Sequence, residues 1–146
     1  MAARAEITID ATPQDVFAVL SDPETYAYWV VGSSEIHQSD ETWPEPGSFF
    51  EHSQGFRPLR IRDTTTVLES DPPRRLKLET RIRPFSVAEV ELRVRRAGNG
   101  SHVTMTEQVT GGLARLSIGP VRDLAFKLRN VESLRRLRRV VEERAG

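Results

Sequence analysis

Alternation of apolar and polar residues marks the extended segments of this chain. Residues 5–10 alternate with the period of a strand that has one buried face. Farther along, Val90, Leu92 and Val94 share one parity and charged residues take the other. In the next segment the apolar parity also includes Glu107. The pattern predicts a sheet with a dry face and a wet face, and it places a carboxylate on the dry face.

Turn signals at short intervals divide the middle of the chain into strands. Pro and Gly clusters predict turns at 44–47, 55–58, 71–73, around 84 and at 98–100. Together with the amino-terminal strand, this spacing predicts seven strands. Neighbouring strands are expected to be antiparallel, because a parallel crossover needs about a dozen or more connecting residues.

Helical patterns flank the strand region. Thr12 and Pro13 supply an N-cap and a first-turn proline for a short helix, and a second short helical turn is expected over 23–28. A long helix is predicted over 121–143. Its apolar stripe consists of Val121, Leu124, Ala125, Leu128, Val131, Leu134, Leu137 and Val141. Its polar face carries Arg122, Lys127, Arg129, Arg135, Arg136, Arg138 and Arg139.

The order of these elements predicts an α+β fold class. We expect a curved seven-stranded antiparallel sheet, a long carboxy-terminal helix across it, and two short helices between strands 1 and 2. At 146 residues the chain is expected to form a single domain, 1–146. A curved sheet that meets a straight helix at both ends leaves a space between them. We therefore expect a cavity lined by apolar side chains with a few polar ones.

Composition narrows the classes of function. The 21 basic and 21 acidic residues cancel, so no global field favours nucleic acid, and the basic helix face is interpreted as solvated. The chain has no Cys, no apolar run of membrane-spanning length and no secretory pattern at its start. These features predict a cytoplasmic protein without an integral membrane segment. No metal-ligand spacing or phosphate-loop motif is present, so no metal or other cofactor is expected.

Several short motifs resemble one family over nearly the whole chain. They are Ile7-Thr-Ile-Asp-Ala-Thr-Pro13, Val16-Phe17, Leu20-Ser-Asp-Pro-Glu24 and Trp29, followed by Pro46-Gly-Ser48, His52, Asp63-Thr-Thr-Thr-Val67 and Val103-Thr-Met-Thr-Glu107. The chain resembles the START-like superfamily, also called SRPBCC, and within it the bacterial polyketide cyclase or dehydrase-like branch. The resemblance implies a helix-grip fold. It implies less about function, because such proteins range from ligand carriers to cyclases and interaction domains.

Strand parity places five polar side chains on the dry face of the sheet. They are His52, Asp63, Thr65, Thr80 and Glu107. One interpretation is a catalytic cluster, in which His52 and either Glu107 or Asp63 exchange protons with a ligand hydroxyl or carbonyl. The other interpretation is structural: His52 and Asp63 hydrogen-bond across neighbouring strands, and Glu107 binds an arginine. The residue pattern leaves both interpretations open.

The walls of the expected cavity are assigned to side chains from several regions. The candidate ligand-binding residues are Trp29, Phe50, Thr65, Thr80, Met105, Leu113, Leu116 and Phe126. Leu113 and Leu116 lie in the glycine-bearing segment 110–119. That segment is interpreted either as a flap over the cavity mouth or as a plain connector.

Three functions compete for this sequence. The first is binding of a hydrophobic small molecule, lipid-like or aromatic and polyketide-like, between the sheet and the long helix. The second is an enzyme of the polyketide cyclase or dehydratase type that uses His52, Asp63 and Glu107 as acid and base groups. The third is a protein-interaction or stress-related accessory module in which Leu113 and Leu116 contact a partner. A monomer and a homodimer are both compatible with the sequence.

Overall fold

The computed structural model describes residues 3–31, 33–54, 61–82, 86–112 and 120–145 of the 146-residue chain. The helical elements are α1 (Pro13–Leu20), a 3₁₀ turn (Pro23–Thr25), α2 (Tyr26–Trp29) and α3 (Pro120–Ala145). The strands are β1 (Ala3–Ile9), β2 (Ser33–Ser39), β3 (Phe49–Gln54), β4 (Ile61–Asp71), β5 (Arg75–Ile82), β6 (Ser86–Ala97) and β7 (Gly100–Gly111). This order confirms the predicted arrangement of strands and helices. The turns predicted at 55–58 and around 84 lie outside the described residues.

The seven strands form one antiparallel sheet in the order β1-β7-β6-β5-β4-β3-β2. Its registers pair His52 with Asp63 and Thr65 with Thr80. His52, Asp63 and Thr65 are buried, and Thr80 is half-buried. The α+β class with a dry sheet face is therefore confirmed, and the alternation of each strand is what places these polar side chains on it.

The short helices form a hydrogen-bonded corner between β1 and β2. Thr12 Oγ1 accepts a hydrogen bond of 3.1 Å from the backbone N–H of Asp15, which is the N-cap that the sequence predicts. At the end of α1, the carbonyl oxygen of Leu20 accepts bonds from the Tyr26 hydroxyl at 2.7 Å and from Trp43 Nε1 at 3.0 Å. These bonds tie α2 and the segment after β2 to the end of α1, and α2 is also in contact with β2.

The carboxy-terminal half of α3 closes the hydrophobic core. Leu134, Leu137 and Val141 are fully buried and share one cluster with Leu92 and Val103 of the sheet. Along its length α3 contacts β1, β7, α1 and α2. The apolar stripe predicts this packing correctly for this half of the helix. No helix within the described part of the chain, α3 included, is both long and apolar enough to cross a bilayer.

The amino-terminal half of α3 differs from its prediction. Leu124 and Leu128 belong to the predicted apolar stripe, yet they are 56% and 60% exposed. Two residues along an α-helix correspond to a rotation of about 200°, so a turn that presents Asn130 to the sheet points Leu128 outward. Arg129, which the sequence assigns to the solvated face, contacts a buried carboxylate instead. That assignment was wrong because the helix does not turn its most apolar side inward here.

Candidate functional site between the sheet and the long helix

A cavity lies between the sheet and the amino-terminal half of α3. Its volume is about 210 Å³. Apolar side chains form most of its wall, and polar side chains contribute at a few points. The described lining residues are Tyr26, Trp29, Val30, Phe50, His52, Thr65, Leu78, Thr80, Val90, Leu92, Met105, Glu107, Phe126, Arg129, Asn130 and Ser133. A mostly apolar enclosure with a few polar groups is typical of a small-molecule site.

An aromatic cluster on α2 and β3 forms one wall of the cavity. The ring centroid of Tyr26 lies 4.8 Å from that of Trp29 and 4.9 Å from that of Phe50. Phe50 in turn lies 5.1 Å from the His52 ring, in an edge-on contact. Such tilted and edge-on pairs are favoured by the charge distribution of aromatic rings. Burial raises the pKa of the Tyr26 phenol, which keeps this wall uncharged.

His52 is held between two partners on neighbouring strands. Its Nε2 lies 3.1 Å from Asp63 Oδ2, and its Nδ1 lies within hydrogen-bond distance of Ser33 Oγ. Asp63 also accepts a bond of 2.9 Å from the backbone N–H of Arg81. A ring that carries a hydrogen on Nε2 donates it to the Asp63 carboxylate, and the second ring nitrogen, Nδ1, faces the Ser33 hydroxyl. His52 lines the cavity and Asp63 lies behind it, so the carboxylate orients the ring.

Glu107 is the second polar feature of the wall. It is 4% exposed, on β7, and its two oxygens accept bonds of 2.6 and 2.7 Å from the Arg129 guanidinium. Asn130 Nδ2 donates a third bond, of 3.1 Å, to Oε1. Both donors come from α3, so the network joins the helix to the sheet across the cavity. The guanidinium balances the charge of the carboxylate.

Two buried polar atoms in the wall have no hydrogen-bond partner among the described residues. They are Trp29 Nε1, a donor, and Asn130 Oδ1, an acceptor. Trp29 is 1% exposed and Asn130 is 0% exposed. The bond from Asn130 Nδ2 to Glu107 fixes the orientation of the amide, so Oδ1 is the atom left over. Buried atoms of this kind are uncommon in folded proteins, and each requires an explanation.

The donor atoms of the wall do not converge as metal ligands. Within the described ranges, no group of three or more His, Cys, Asp or Glu side chains is placed to hold a metal ion. The atoms that would ligate are already engaged, since His52 contacts Asp63 and Glu107 binds Arg129.

Most of the residues predicted for the site meet at this cavity. His52 and Glu107 line it, and so do Trp29, Phe50, Thr65, Thr80, Met105 and Phe126. Asp63 is not among the described lining residues, and it contacts His52, which lines the cavity. Leu113 and Leu116 lie outside the described residues. The catalytic and ligand-binding roles of all these residues stay predictions.

Sequence reasoning missed the polar residues that α3 and β2 contribute. Arg129, Asn130 and Ser133 line the cavity, although polar residues on a basic helix were read as solvated. Helical spacing is the signal that could have identified Asn130 and Ser133. Asn130 lies three positions before Ser133, and Ser133 lies four positions before the buried Leu137, so the three residues share one face of the helix. Ser33 was missed because β2 is paired to β3 with two register shifts, which break the simple alternation.

The antiparallel sheet and the long helix packed across it define a helix-grip protein. A family model described as polyketide cyclase/dehydrase and lipid transport matches residues 2–142. The chain belongs to this family, and its resemblance to the START-like superfamily is thereby confirmed. A comparison with curated proteins found no match.

Solved structures with the same architecture come from diverse sources. Protein CV1439 from Chromobacterium violaceum superposes with a TM-score of 0.73 at 16% identity, covering 97% of this chain and 98% of that one. Ara h 8.0201 superposes with a TM-score of 0.75 at 10% identity, covering 98% of each chain. The di-domain ARO/CYC StfQ from the steffimycin biosynthetic pathway gives 0.73 at 14% identity, covering 100% of this chain and 52% of that one. At these identities the likenesses show the fold alone.

Proposed function

We propose that this protein binds a hydrophobic small molecule, lipid-like or aromatic and polyketide-like, in the cavity beneath α3. The observation that carries the proposal is a mostly apolar cavity of about 210 Å³ between the sheet and the helix. Protein interiors are packed about as densely as organic crystals, so a mostly apolar cavity of this size departs from ordinary core packing and is suited to hold a small molecule. The family description, which names polyketide cyclases and lipid transport, supports the same class of ligand.

The size of the cavity limits the ligand. An apolar cavity of about 150 Å³ holds one benzene molecule. On that scale, the 210 Å³ beneath α3 accommodates roughly a bicyclic aromatic molecule or a short acyl chain.

A pair of threonines on β4 provides the test. Thr65 is 2% exposed and lines the cavity, whereas the half-buried Thr66 next to it points to the opposite face of the sheet. Thr65→Phe is expected to fill part of the cavity, and Thr66→Phe is the matched control. Native mass spectrometry identifies ligands that co-purify, and calorimetry with naphthalenes and short fatty acids measures affinity.

The expected result is binding to the wild type and to Thr66→Phe, with a loss of roughly tenfold or more in Thr65→Phe, which corresponds to about 1.4 kcal/mol or more. Absence of any bound molecule after purification, together with no heat of binding from the panel, would contradict the proposal. Equal affinity of Thr65→Phe and Thr66→Phe for the ligand would mean that the ligand binds elsewhere on the protein.

Acid–base catalysis is a second candidate function, and the placement of His52 favours it. The imidazole lines the cavity and is oriented by Asp63 and Ser33 on its two ring nitrogens. Both ring nitrogens have partners in this structure, so a substrate would replace Ser33 at Nδ1, where the ring is suited to transfer protons in the loss of water from a β-hydroxy ketone. In that reaction a base removes the proton next to the carbonyl, and an acid protonates the departing hydroxyl to give water and an enone.

A dehydration assay separates this second function from binding alone. The probe is an aromatic β-hydroxy ketone, and formation of the conjugated enone is followed by absorbance. His52→Ala is expected to abolish turnover while it leaves the affinity for the probe within a few fold. Turnover that persists in the variant at the wild-type rate, or that is absent from the wild type, would reject His52 as the catalytic group for this reaction.

A further inference from the structure

A donor and an acceptor without partners lie in the same apolar wall. Trp29 Nε1 needs a hydrogen-bond acceptor and Asn130 Oδ1 needs a donor, and no described residue supplies either one. Both residues line the cavity. An unmade hydrogen bond at a buried group is destabilising, whereas the same group pairs favourably with a ligand that presents the complementary atom.

We propose that the ligand of this cavity is a neutral, mainly apolar molecule that carries a hydroxyl group, and that Asn130 and Trp29 select it. Asn130 Oδ1 accepts the hydrogen bond of the ligand hydroxyl, and Trp29 Nε1 donates to a ligand oxygen. This inference rests on the proposed binding function and adds the polar chemistry of the ligand to it.

The neutrality of the ligand follows from the way the charged groups of the wall are engaged. Glu107 is paired with Arg129 at 2.6 Å, and the Asp63 carboxylate behind the wall is held by His52 at 3.1 Å and by the backbone N–H of Arg81 at 2.9 Å. Each charged group of the described wall is thus already paired. An anionic or cationic ligand would lose its hydration on entering without gaining an opposite charge, which is unfavourable in an apolar site.

The two anchoring residues are held in a fixed relation. Trp29 ends α2 and Asn130 lies on α3, and these helices are in contact. Ser133 Oγ of α3 accepts a bond of 3.1 Å from the backbone N–H of Val31, just beyond α2. The ring of Trp29 is packed against Tyr26, and the amide of Asn130 is bound to Glu107. Each of the two side chains is therefore held in place by its own contacts, and such preorganisation favours a ligand whose polar atoms match them.

Three neutral probes of similar size and shape, together with one charged analogue, test the selection. β-Naphthol can donate and accept, its methyl ether can only accept, and naphthalene can do neither. Because one hydrogen bond to a neutral group changes affinity by about threefold to tenfold, we expect β-naphthol to bind more tightly than the ether by that factor. The ether is expected to bind more tightly than naphthalene, and the charged naphthoate is expected to bind more weakly than β-naphthol.

Two variants test whether Asn130 and Trp29 cause the expected differences in affinity between the probes. Asn130→Leu removes the acceptor and is expected to abolish the difference between β-naphthol and its ether. Trp29→Phe keeps an aromatic ring without the N–H, and it is expected to weaken both oxygen-bearing probes while naphthalene changes little. Trp43→Phe is the matched control, because the Trp43 N–H already donates to Leu20 at 3.0 Å and Trp43 is not among the described lining residues.

Calorimetric titration of wild type and variants decides between the outcomes. Loss of the preferences in Asn130→Leu and Trp29→Phe, with retention in Trp43→Phe, supports the inference. Equal affinity of the wild type for all three neutral probes overturns the inference and leaves the binding function in place. No binding of any probe contradicts the binding function itself. The wild-type ranking and Trp29→Phe decide the question even where Asn130→Leu fails to fold.

Discussion

Removal of the Arg129 guanidinium is expected to destabilise the folded protein because it leaves a buried carboxylate without its counter-charge. Arg129→Met keeps much of the aliphatic stem and deletes the two bonds of 2.6 and 2.7 Å to Glu107. Glu107 is 4% exposed, and Asn130 remains as its only described donor. The carboxylate must then be kept in a mostly apolar wall with one hydrogen bond in place of three.

The expected loss in the free energy of unfolding follows from how exposed Arg129 and Glu107 are. Loss of one member of a fully buried ion pair costs about 3–5 kcal/mol. The Arg129 side chain is 31% exposed, so water can replace part of its interaction, and we expect about 2–3 kcal/mol. For a chain of this size, that loss corresponds to a fall of roughly 6–9 °C in the unfolding midpoint.

A double-mutant cycle measured by urea unfolding tests the reasoning. Glu107→Gln alone leaves an arginine that can turn toward water, so it is expected to cost about 1 kcal/mol. The double variant removes both charges and should be more stable than Arg129→Met, with a coupling of about 1–2 kcal/mol. Arg136→Met is the control, because Arg136 pairs with Glu132 at 3.8 Å on the exposed face. A loss below about 0.5 kcal/mol in Arg129→Met, or a double variant with strictly additive losses, would refute the argument.

Three further predictions test the fold. Burial raises the pKa of Tyr26 above its unfolded value of about 10, so the stability that its neutral phenol contributes is present below pH 10 and is lost as the pH rises further. Tyr26→Phe should reduce this loss of stability at alkaline pH, measured as the unfolding midpoint in thermal melts. The same dependence of the midpoint on pH in Tyr26→Phe and wild type would contradict the prediction. A Cβ at Gly100 would lie 2.4 Å from the carbonyl oxygen of Ile9, so Gly100→Ala should lower the free energy of unfolding by about 1–3 kcal/mol, whereas wild-type stability would rule out the clash. Leu134→Ala should lower the free energy of unfolding by about 2–5 kcal/mol and Leu128→Ala by less than about 0.5 kcal/mol, because Leu134 is buried and Leu128 is exposed. Similar losses for the two variants in urea unfolding would mean that α3 packs on the sheet in a different orientation.

The sequence predicts the sheet well because the alternation of apolar and polar residues within each strand shows which of its faces is buried. His52 and Glu107 fall on the dry face by simple alternation, and the structure buries both of them. Thr12 predicts the start of α1 because an N-cap is a local interaction between a side chain and the backbone a few residues away. Features that depend on neighbouring residues in the chain are therefore accessible from the sequence.

The polar lining contributed by α3 could not be predicted in the same way. Arg129 and Asn130 lie in a run rich in arginine, where polar residues usually indicate a solvated face. Their burial depends on the carboxylate of Glu107, which lies 22 and 23 positions earlier in the sequence and meets them only when the helix docks. Helical spacing relates Asn130 to the inward face of α3, but it does not reveal the distant carboxylate that the helix meets. The apolar Phe126 of α3 was therefore predicted as a lining residue, whereas the polar lining residues of the same helix were not.

Ligand binding at the proposed site would be linked to the stability of the fold through α3. The carboxy-terminal half of α3 packs Leu134, Leu137 and Val141 against the core, while its amino-terminal half covers the cavity and buries Asn130 Oδ1, which has no partner among the described residues. Each unmade hydrogen bond at a buried group costs about 1–3 kcal/mol. A ligand that binds only the folded state adds stability in proportion to the logarithm of its concentration over its Kd, about 2.7 kcal/mol at a hundredfold excess. At equal concentration, β-naphthol should therefore raise the unfolding midpoint more than naphthalene, and that difference should disappear in Asn130→Leu, because the additional stabilisation comes from the hydrogen bonds that the apolar probe cannot make.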